Sequence, residues 1–251
     1  MIKKILVSQP RPTSDKSPYF DIAERFGLEL VFRPFIKVVG LSAREFRTQK
    51  VNILDYTAVV FTSRHAIDHF FTLAHDLRVT IPEDMKYFCV TETIALYIQK
   101  YVQYRKRKVF FGNQTMPDLI EIMRKHKDEK YLYCCSDITT DSAVDLMTAA
   151  KLNFTKAVMF RTVSADLKHV TIGNYDMLVF FSPAGILSLK ENFPDFVQGE
   201  VAIGGFGEST CHAITEAGFE LNIKAPTQTA PSMTMAIEQY LAAEQKKSKK
   251  K

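Results

Sequence analysis

The sequence predicts an α/β protein built from two similar parallel-sheet domains, the second inserted into the first. Three observations predict this. Ile53-Leu-Asp-Tyr-Thr-Ala-Val-Val-Phe-Thr-Ser63 resembles Ile172-Gly-Asn-Tyr-Asp-Met-Leu-Val-Phe-Phe-Ser182. The turn Gln-Thr-x-Pro occurs at residues 114–117 and again at 228–231. A strand–helix–strand unit also occurs twice, but out of order: at the start of the chain in one copy, and at the end of the inner block in the other.

The elements follow in order. Lys4-Ile-Leu-Val-Ser8 reads as a strand, residues 19–26 as a helix and 28–34 as a second strand. The inner block opens on the apolar strand ending Phe61-Thr-Ser63, whose serine caps a helix with Ile67, Phe70, Phe71 and Ala74 on one face. Tyr87-Phe-Cys-Val-Thr-Glu-Thr93 is a strand running into a helix start. A strand at 109–111 leads to the first Gln-Thr-x-Pro turn and a helix bearing Leu119, Ile122 and Met123. Lys130-Tyr-Leu-Tyr-Cys-Cys-Ser136, a helix over 141–150 and a strand over 154–162 repeat the opening unit, with Val31-Phe-Arg33 matching Met159-Phe-Arg161. The second copy of the inner pattern then follows. Its strand ends at Ser182 and its next helix buries Ile186 and Leu189. Val201-Ala-Ile-Gly-Gly-Phe-Gly-Glu-Ser-Thr210, a strand at 221–223 and a helix with Met233, Ala236 and Ile237 complete it.

The predicted boundaries are an outer domain of residues 1–33 plus 165–245, an inserted domain of 40–157, and two adjacent extended linkers at 34–39 and 158–164. Residues 246–251 are expected to be a disordered Lys-rich tail. Strands alternating with helices imply parallel sheets covered on both faces, and the cleft between two such domains is the expected ligand site. The Gln-Thr-x-Pro turn has a structural reason: each domain needs a polar cap followed by proline in the first helical turn, where a missing N–H is harmless.

Composition is that of an ordinary globular protein, with 46% apolar and 24% charged residues. The net charge of +5 resides in Lys246, Lys247, Lys249, Lys250 and Lys251, so the remainder is neutral and nucleic acid is not an expected partner. A second basic cluster, Lys100 with residues 105–108, reads as a solvated edge. No apolar run is long enough to span a bilayer, and the first residues read as a strand, not a signal peptide. Cys89, Cys134, Cys135 and Cys211 form no CxxC and are expected to be reduced thiols in a cytoplasm.

Motifs for other chemistries fail on spacing. His65-Ala-Ile-Asp-His69 places two histidines one helical turn apart, but no third ligand has convincing spacing, so no metal is expected. Gly204-Gly-Phe-Gly-Glu-Ser-Thr210 follows a strand and opens a helix, yet the next strand ends in Lys224 where a dinucleotide fingerprint needs an acid. There is no GxSxG elbow and no phosphate-cradling loop of the Walker type. What remains is an anion site: hydroxyls at helix starts, at Ser63, Thr93, Ser182, Ser209 and Thr210, beside free N–H groups.

Phe61-Thr-Ser-Arg-His-Ala66, Phe181-Ser-Pro-Ala-Gly185, Gly207-Glu-Ser-Thr-Cys-His-Ala213 and Ala225-Pro-Thr227, in this order and spacing, resemble the uroporphyrinogen-III synthase family over residues 1 to about 243. The resemblance implies a cofactor-free cytoplasmic lyase of haem and tetrapyrrole biosynthesis, acting as a monomer on linear hydroxymethylbilane. Loss of the terminal hydroxyl gives an azafulvene that attacks the substituted carbon of ring D. A spirocyclic intermediate then rearranges and closes to uroporphyrinogen III, with ring D inverted. It further implies substrate-binding roles for Gln9, Arg11, Ser63, His65, Thr93, Ser182, Ser209 and Thr210, with Thr210 the foremost catalytic candidate. Two departures stand out. Phe160 occupies the place of a family tyrosine that can donate a proton, leaving Tyr133 or water as substitute donors. Val90 stands where one copy of a Gly-x-x-Thr turn begins. The alternative reading is a catalytically weak or inactive two-domain binding protein for polycarboxylates.

Overall fold

The computed structural model describes residues 2–138 and 142–248. The chain separates into two compact units, an outer one of residues 1–37 with 163–251 and an inserted one of residues 38–162. The outer unit begins with β1 (Lys4–Val7), α1 (Pro18–Phe26) and β2 (Glu29–Phe32). The inserted unit holds β3 (Ile36–Gly40), α2 (Ala43–Arg47), β4 (Ala58–Phe61), α3 (Arg64–Asp76), β5 (Lys86–Cys89) and α4 (Glu92–Tyr97). It continues with β6 (Val109–Phe111), α5 (Met116–Met123), β7 (Tyr131–Ser136), α6 (Ser142–Ala149) and β8 (Phe154–Ser164). The outer unit resumes with β9 (Met177–Phe180), α7 (Pro183–Asn192), β10 (Ala202–Phe206), α8 (Glu208–Glu216), β11 (Ile223–Ala225) and α9 (Met233–Ser248).

The outer sheet has the order β11-β10-β9-β1-β2, and the inserted sheet β3-β8-β7-β4-β5-β6. With β3 set aside, the two orders are the same, strand for strand. β1 runs parallel to both β2 and β9, and β7 runs parallel to both β8 and β4. The out-of-order unit therefore occupies the same place in each sheet. Along each strand, alternate residues go to opposite faces, as the two-residue period requires. Val59 and Phe61 join one apolar cluster with Ile67 and Phe70 of α3, while Ala58 and Val60 join another with Leu119 and Met123 of α5. In the outer unit, Ile5 and Val7 pack with Met233 and Ile237 of α9, and Leu6 packs with Ile186 and Leu189 of α7. Both sheets are covered on both faces, which is why their central strands read as nearly continuous apolar runs.

The structure corrects the sequence reading at several points. The stretches 53–55 and 172–174 are 3-10 turns ahead of the strands, in both copies. By contrast, the stretches expected as adjacent extended linkers fall largely within β3 and the end of β8, hydrogen-bonded neighbours at one edge of the inserted sheet whose backbone groups find partners in each other. The two Phe-Arg matches are not equivalent. Leu30 lies opposite Ile5 and Phe154 opposite Tyr131, so the counterpart of Phe32 is Lys156, not Phe160. The first Gln-Thr-x-Pro turn caps as expected, with Thr115 and Asp118 forming a reciprocal capping box and Pro117 in the first turn. The second does not. Thr227 and Ala230 close a turn of their own, Pro231 stays outside the helix, and the hydroxyl of Ser232 accepts from the N–H of Met235 at 3.2 Å. Helix α9 runs on through Ser248, into the expected tail, and residues 249–251 lie outside those described. Asp141, expected to open α6, is likewise outside them.

Candidate functional site

In each unit the chain turns to opposite sides of the sheet from one pair of adjacent strands. These are β1 and β9 in the outer unit, and β7 and β4 in the inserted unit. A crevice opens at the carboxyl ends of such a pair, and ligands of open α/β sheets bind there. The expected residues gather at this edge of their own sheets. Ser8 and Gln9 follow β1, and Ser182 follows β9. Thr62, Ser63 and His65 follow β4, and Asp137 follows β7. Thr93 and Ser209 stand one strand further out, beyond β5 and β10.

Three helices at these edges are capped by hydroxyls. Ser63 accepts from the N–H of Ala66 at 3.1 Å, and Ser182 accepts from the N–H of Gly185 at 3.3 Å. The third cap is Thr91, accepting from the N–H of Ile94 at 3.2 Å; Thr93, expected in this role, is an exposed residue of the first turn. A capping hydroxyl spends its oxygen on the helix but keeps its own O–H to donate, so each can still bind an anion. Helix α8 differs. Its cap is Gly207, with φ of 85° and no side-chain hydrogen bond. An added Cβ would meet nothing within 4 Å there, so the backbone angle, not space, calls for glycine. Strand register makes Thr91 the counterpart of Gly207, which corrects the alignment that set Val90 in that place. Thr91 takes an extended φ of −136° and supplies the cap that Gly207 cannot.

Of the remaining candidates, Ser209 is exposed, whereas Thr210 is only 1% exposed and packs within the first turn of α8. The guanidinium of Arg11 lies 4.9 Å from the centroid of the Phe20 ring, an exposed cation over an aromatic face. Tyr133, considered as a substitute proton donor, is 1% exposed and belongs to the core. Burial pushes its phenol up to about 12, against the opposing effect of a hydrogen bond with Thr62.

Sequence reasoning missed the surroundings of Phe160. Its ring is 8% exposed and lies against two imidazoles of α3: His69 stacks on it at 5.2 Å and 29°, and His65 tilts over it at 6.2 Å and 51°. The i, i+4 spacing of the histidines puts both on one helical face, and the signal was visible as His65-x-x-x-His69. The pair packs onto Phe160 of β8, and no third ligand joins it among the described residues. Burial lowers the pKa of His69, helped by neighbouring His65 and opposed by Asp68. Asp68 itself is held low although burial alone would raise it, because Lys100, Tyr101 and Tyr97 all donate to its carboxylate.

A cavity of about 530 Å³ opens beyond β5 and β6, lined by Thr91, Thr93 and Phe111 together with three acids, Glu92, Asp118 and Glu121. Asp118 is committed to the α5 cap. Thr93 sits on the rim of a predominantly acidic hollow, which disfavours carboxylates on that side.

The family model for uroporphyrinogen-III synthase HemD matches residues 18–235. No curated protein matches the sequence. Among solved structures, uroporphyrinogen-III synthetase from Helicobacter pylori is similar at a TM-score of 0.57 and 13% identity, over 96% of this chain and 100% of its own. A mutant uroporphyrinogen III synthase from Thermus thermophilus is similar at 0.50 and 12%, over 99% and 100%. At such identities the structural likeness speaks for the fold, and the family match, which spans most of the sequence, goes further. The chain belongs to the uroporphyrinogen-III synthase family.

Proposed function

We propose that the protein cyclises hydroxymethylbilane to uroporphyrinogen III, inverting ring D through a spirocyclic intermediate, as a lyase that needs no cofactor. The family match over residues 18–235 carries this reading. The site chemistry supports it. The substrate bears eight carboxylates, and helix N-termini with hydroxyl caps are suited to them, each contributing about 0.3–1 kcal/mol where exposed. Ser63 and Thr91 of the inserted unit, and Ser182 and Ser209 of the outer unit, are proposed as anion contacts, with Gln9 and Arg11 beside them. Thr210 is reachable only through the first turn of α8, so its role is to set that turn.

The uncatalysed substrate closes without inversion, so the protein must impose geometry faster than solution chemistry proceeds. Holding the reacting carbons of rings A and D in contact is the larger part of that task, and orientation alone can supply about 7–11 kcal/mol. Four buried, unbridged thiols agree with a reducing cytoplasm, and no described helix is long and apolar enough to cross a membrane. The expectation is a monomer.

The test is isomer analysis. Purified protein is given freshly generated hydroxymethylbilane, and the oxidised products are separated into type I and type III uroporphyrins. Predominantly type III supports the reading, and its loss on combining Ser63→Ala with Ser209→Ala would put the reaction at these helix starts. Only type I, at the rate seen without protein, overturns it.

A further inference from the structure

The chain has six histidines, and their surroundings separate them. His126 packs on Phe110 and Phe88, His212 is paired with Glu216 at 3.2 Å, and His75 lies in the last turn of α3. His169 is in the loop ahead of β9. His69 is wedged: a Cβ on Gly40 of β3 would come within 2.6 Å of its Nδ1, and Phe160 stacks on its ring. His65 alone is an exposed imidazole in the first turn after a strand of the β7–β4 pair.

The charged groups around His65 are all engaged. The guanidinium of Arg64 lies over the Tyr97 ring at 5.3 Å, and the carboxylate of Asp68 receives Tyr97, Tyr101 and Lys100. Arg161 of β8 pairs with Glu45 at 2.8 Å, and Asp137 accepts from the N–H of Thr162 at 3.2 Å. His65 has a ring contact with Phe160 on one side and, among the described residues, no hydrogen bond or ion pair on the others. The imidazole thus rests against one ring and is left free in chemistry, as a proton carrier requires.

We infer that His65 is the catalytic acid and base of the cyclisation, resting on the function proposed above. Protonated His65 gives its proton to the oxygen of the terminal hydroxymethyl group. The C–O bond breaks with its electron pair leaving on water, and the lone pair of the ring A nitrogen fills the exposed carbon to form the azafulvenium. When the final closure is made, the unsubstituted α-carbon of ring D loses its proton to the now neutral imidazole. One water leaves and no net proton is consumed. Phe160 and, beneath it, His69 and Gly40 are positioning residues that fix the ring.

The experiment is single-turnover cyclisation with protein in excess, on His65→Ala and His65→Gln, each checked for an unchanged urea midpoint. The expected result is a rate about 10²-fold lower or more in both. The protein concentration for half-maximal rate should stay within about twofold of the original, and the product should remain type III. Free imidazole in the buffer should restore His65→Ala. A rate close to that of the original protein, a loss seen only as weaker binding, or a slow variant that imidazole does not restore each overturns the inference. Original protein that yields only type I overturns the proposed function itself, which separates the two failures.

Discussion

The imidazole of His69 lies 5.2 Å from the ring of Phe160, nearly parallel to it, while its Nδ1 faces the backbone of Gly40 across a gap that would not admit a methyl group. Helix, edge strand and inner strand of the inserted unit therefore meet at one imidazole. Gly40→Ala should cost about 1–3 kcal/mol by overpacking, although its backbone tolerates alanine. Adding His69→Ala should recover much of that loss. Urea midpoints of the single and double variants measure the coupling, and simple additivity would refute the contact.

The same imidazole makes stability depend on pH. Its pKa in the folded protein is lowered, chiefly by burial. The unfolded chain therefore binds the proton more readily, and the contribution is fully present above about pH 6.5. It is lost as pH falls from there through the folded value. Urea midpoints measured between pH 8 and pH 5 should decline, and His69→Gln should flatten that part of the decline.

Thr91 and Thr93 stand two residues apart and should behave differently. Thr91→Ala removes a cap, should cost about 0.5–2 kcal/mol and should raise KM for hydroxymethylbilane. Thr93→Ala, at an exposed site beside three acids, should change stability by no more than about 0.5 kcal/mol and leave KM unaltered. Thermal unfolding paired with steady-state kinetics distinguishes them. A Thr93 variant with a raised KM returns that residue to the site.

Tyr133 is expected to take no part in the reaction. Its hydroxyl is engaged with Thr62 inside the core. Tyr133→Phe should still give type III product, at a stability lower by about 0.5–1.5 kcal/mol. Loss of activity without loss of stability would return it to the mechanism.

The architecture was legible because each copy writes the same punctuation: an apolar strand, Phe-x-Ser, and a helix with its apolar residues on one face. Ser63 and Ser182 fell where the sequence put them because a serine directly before an amphipathic run has few other uses. Thr91 and Thr93 both stand near the end of β5, and only strand register shows which hydroxyl reaches an N–H. The second Gln-Thr-x-Pro turn misled because Ser232, a better-placed cap, follows its proline. Phe160 was legible as a residue and not as an environment. Its ring partners, His69 and His65, lie about 90 and 95 positions away in the sequence, and no local pattern encodes a contact closed by sheet order.

The sheet order also bears on how the molecule is made. β1 leaves the ribosome ahead of both its neighbours, yet only β2 follows soon; β9 begins at Met177. Until then β1 presents an unpaired apolar edge, the kind of surface that chaperones cover and that recruits stray strands. The inserted unit, by contrast, has every strand of its sheet in hand once β8 emerges, so it is complete while its host is still half a sheet. Nascent chains stalled so that Ser164 has just cleared the ribosome would carry a finished inner unit and only the β1–α1–β2 part of the outer one, the stage at which synthesis is most exposed to error.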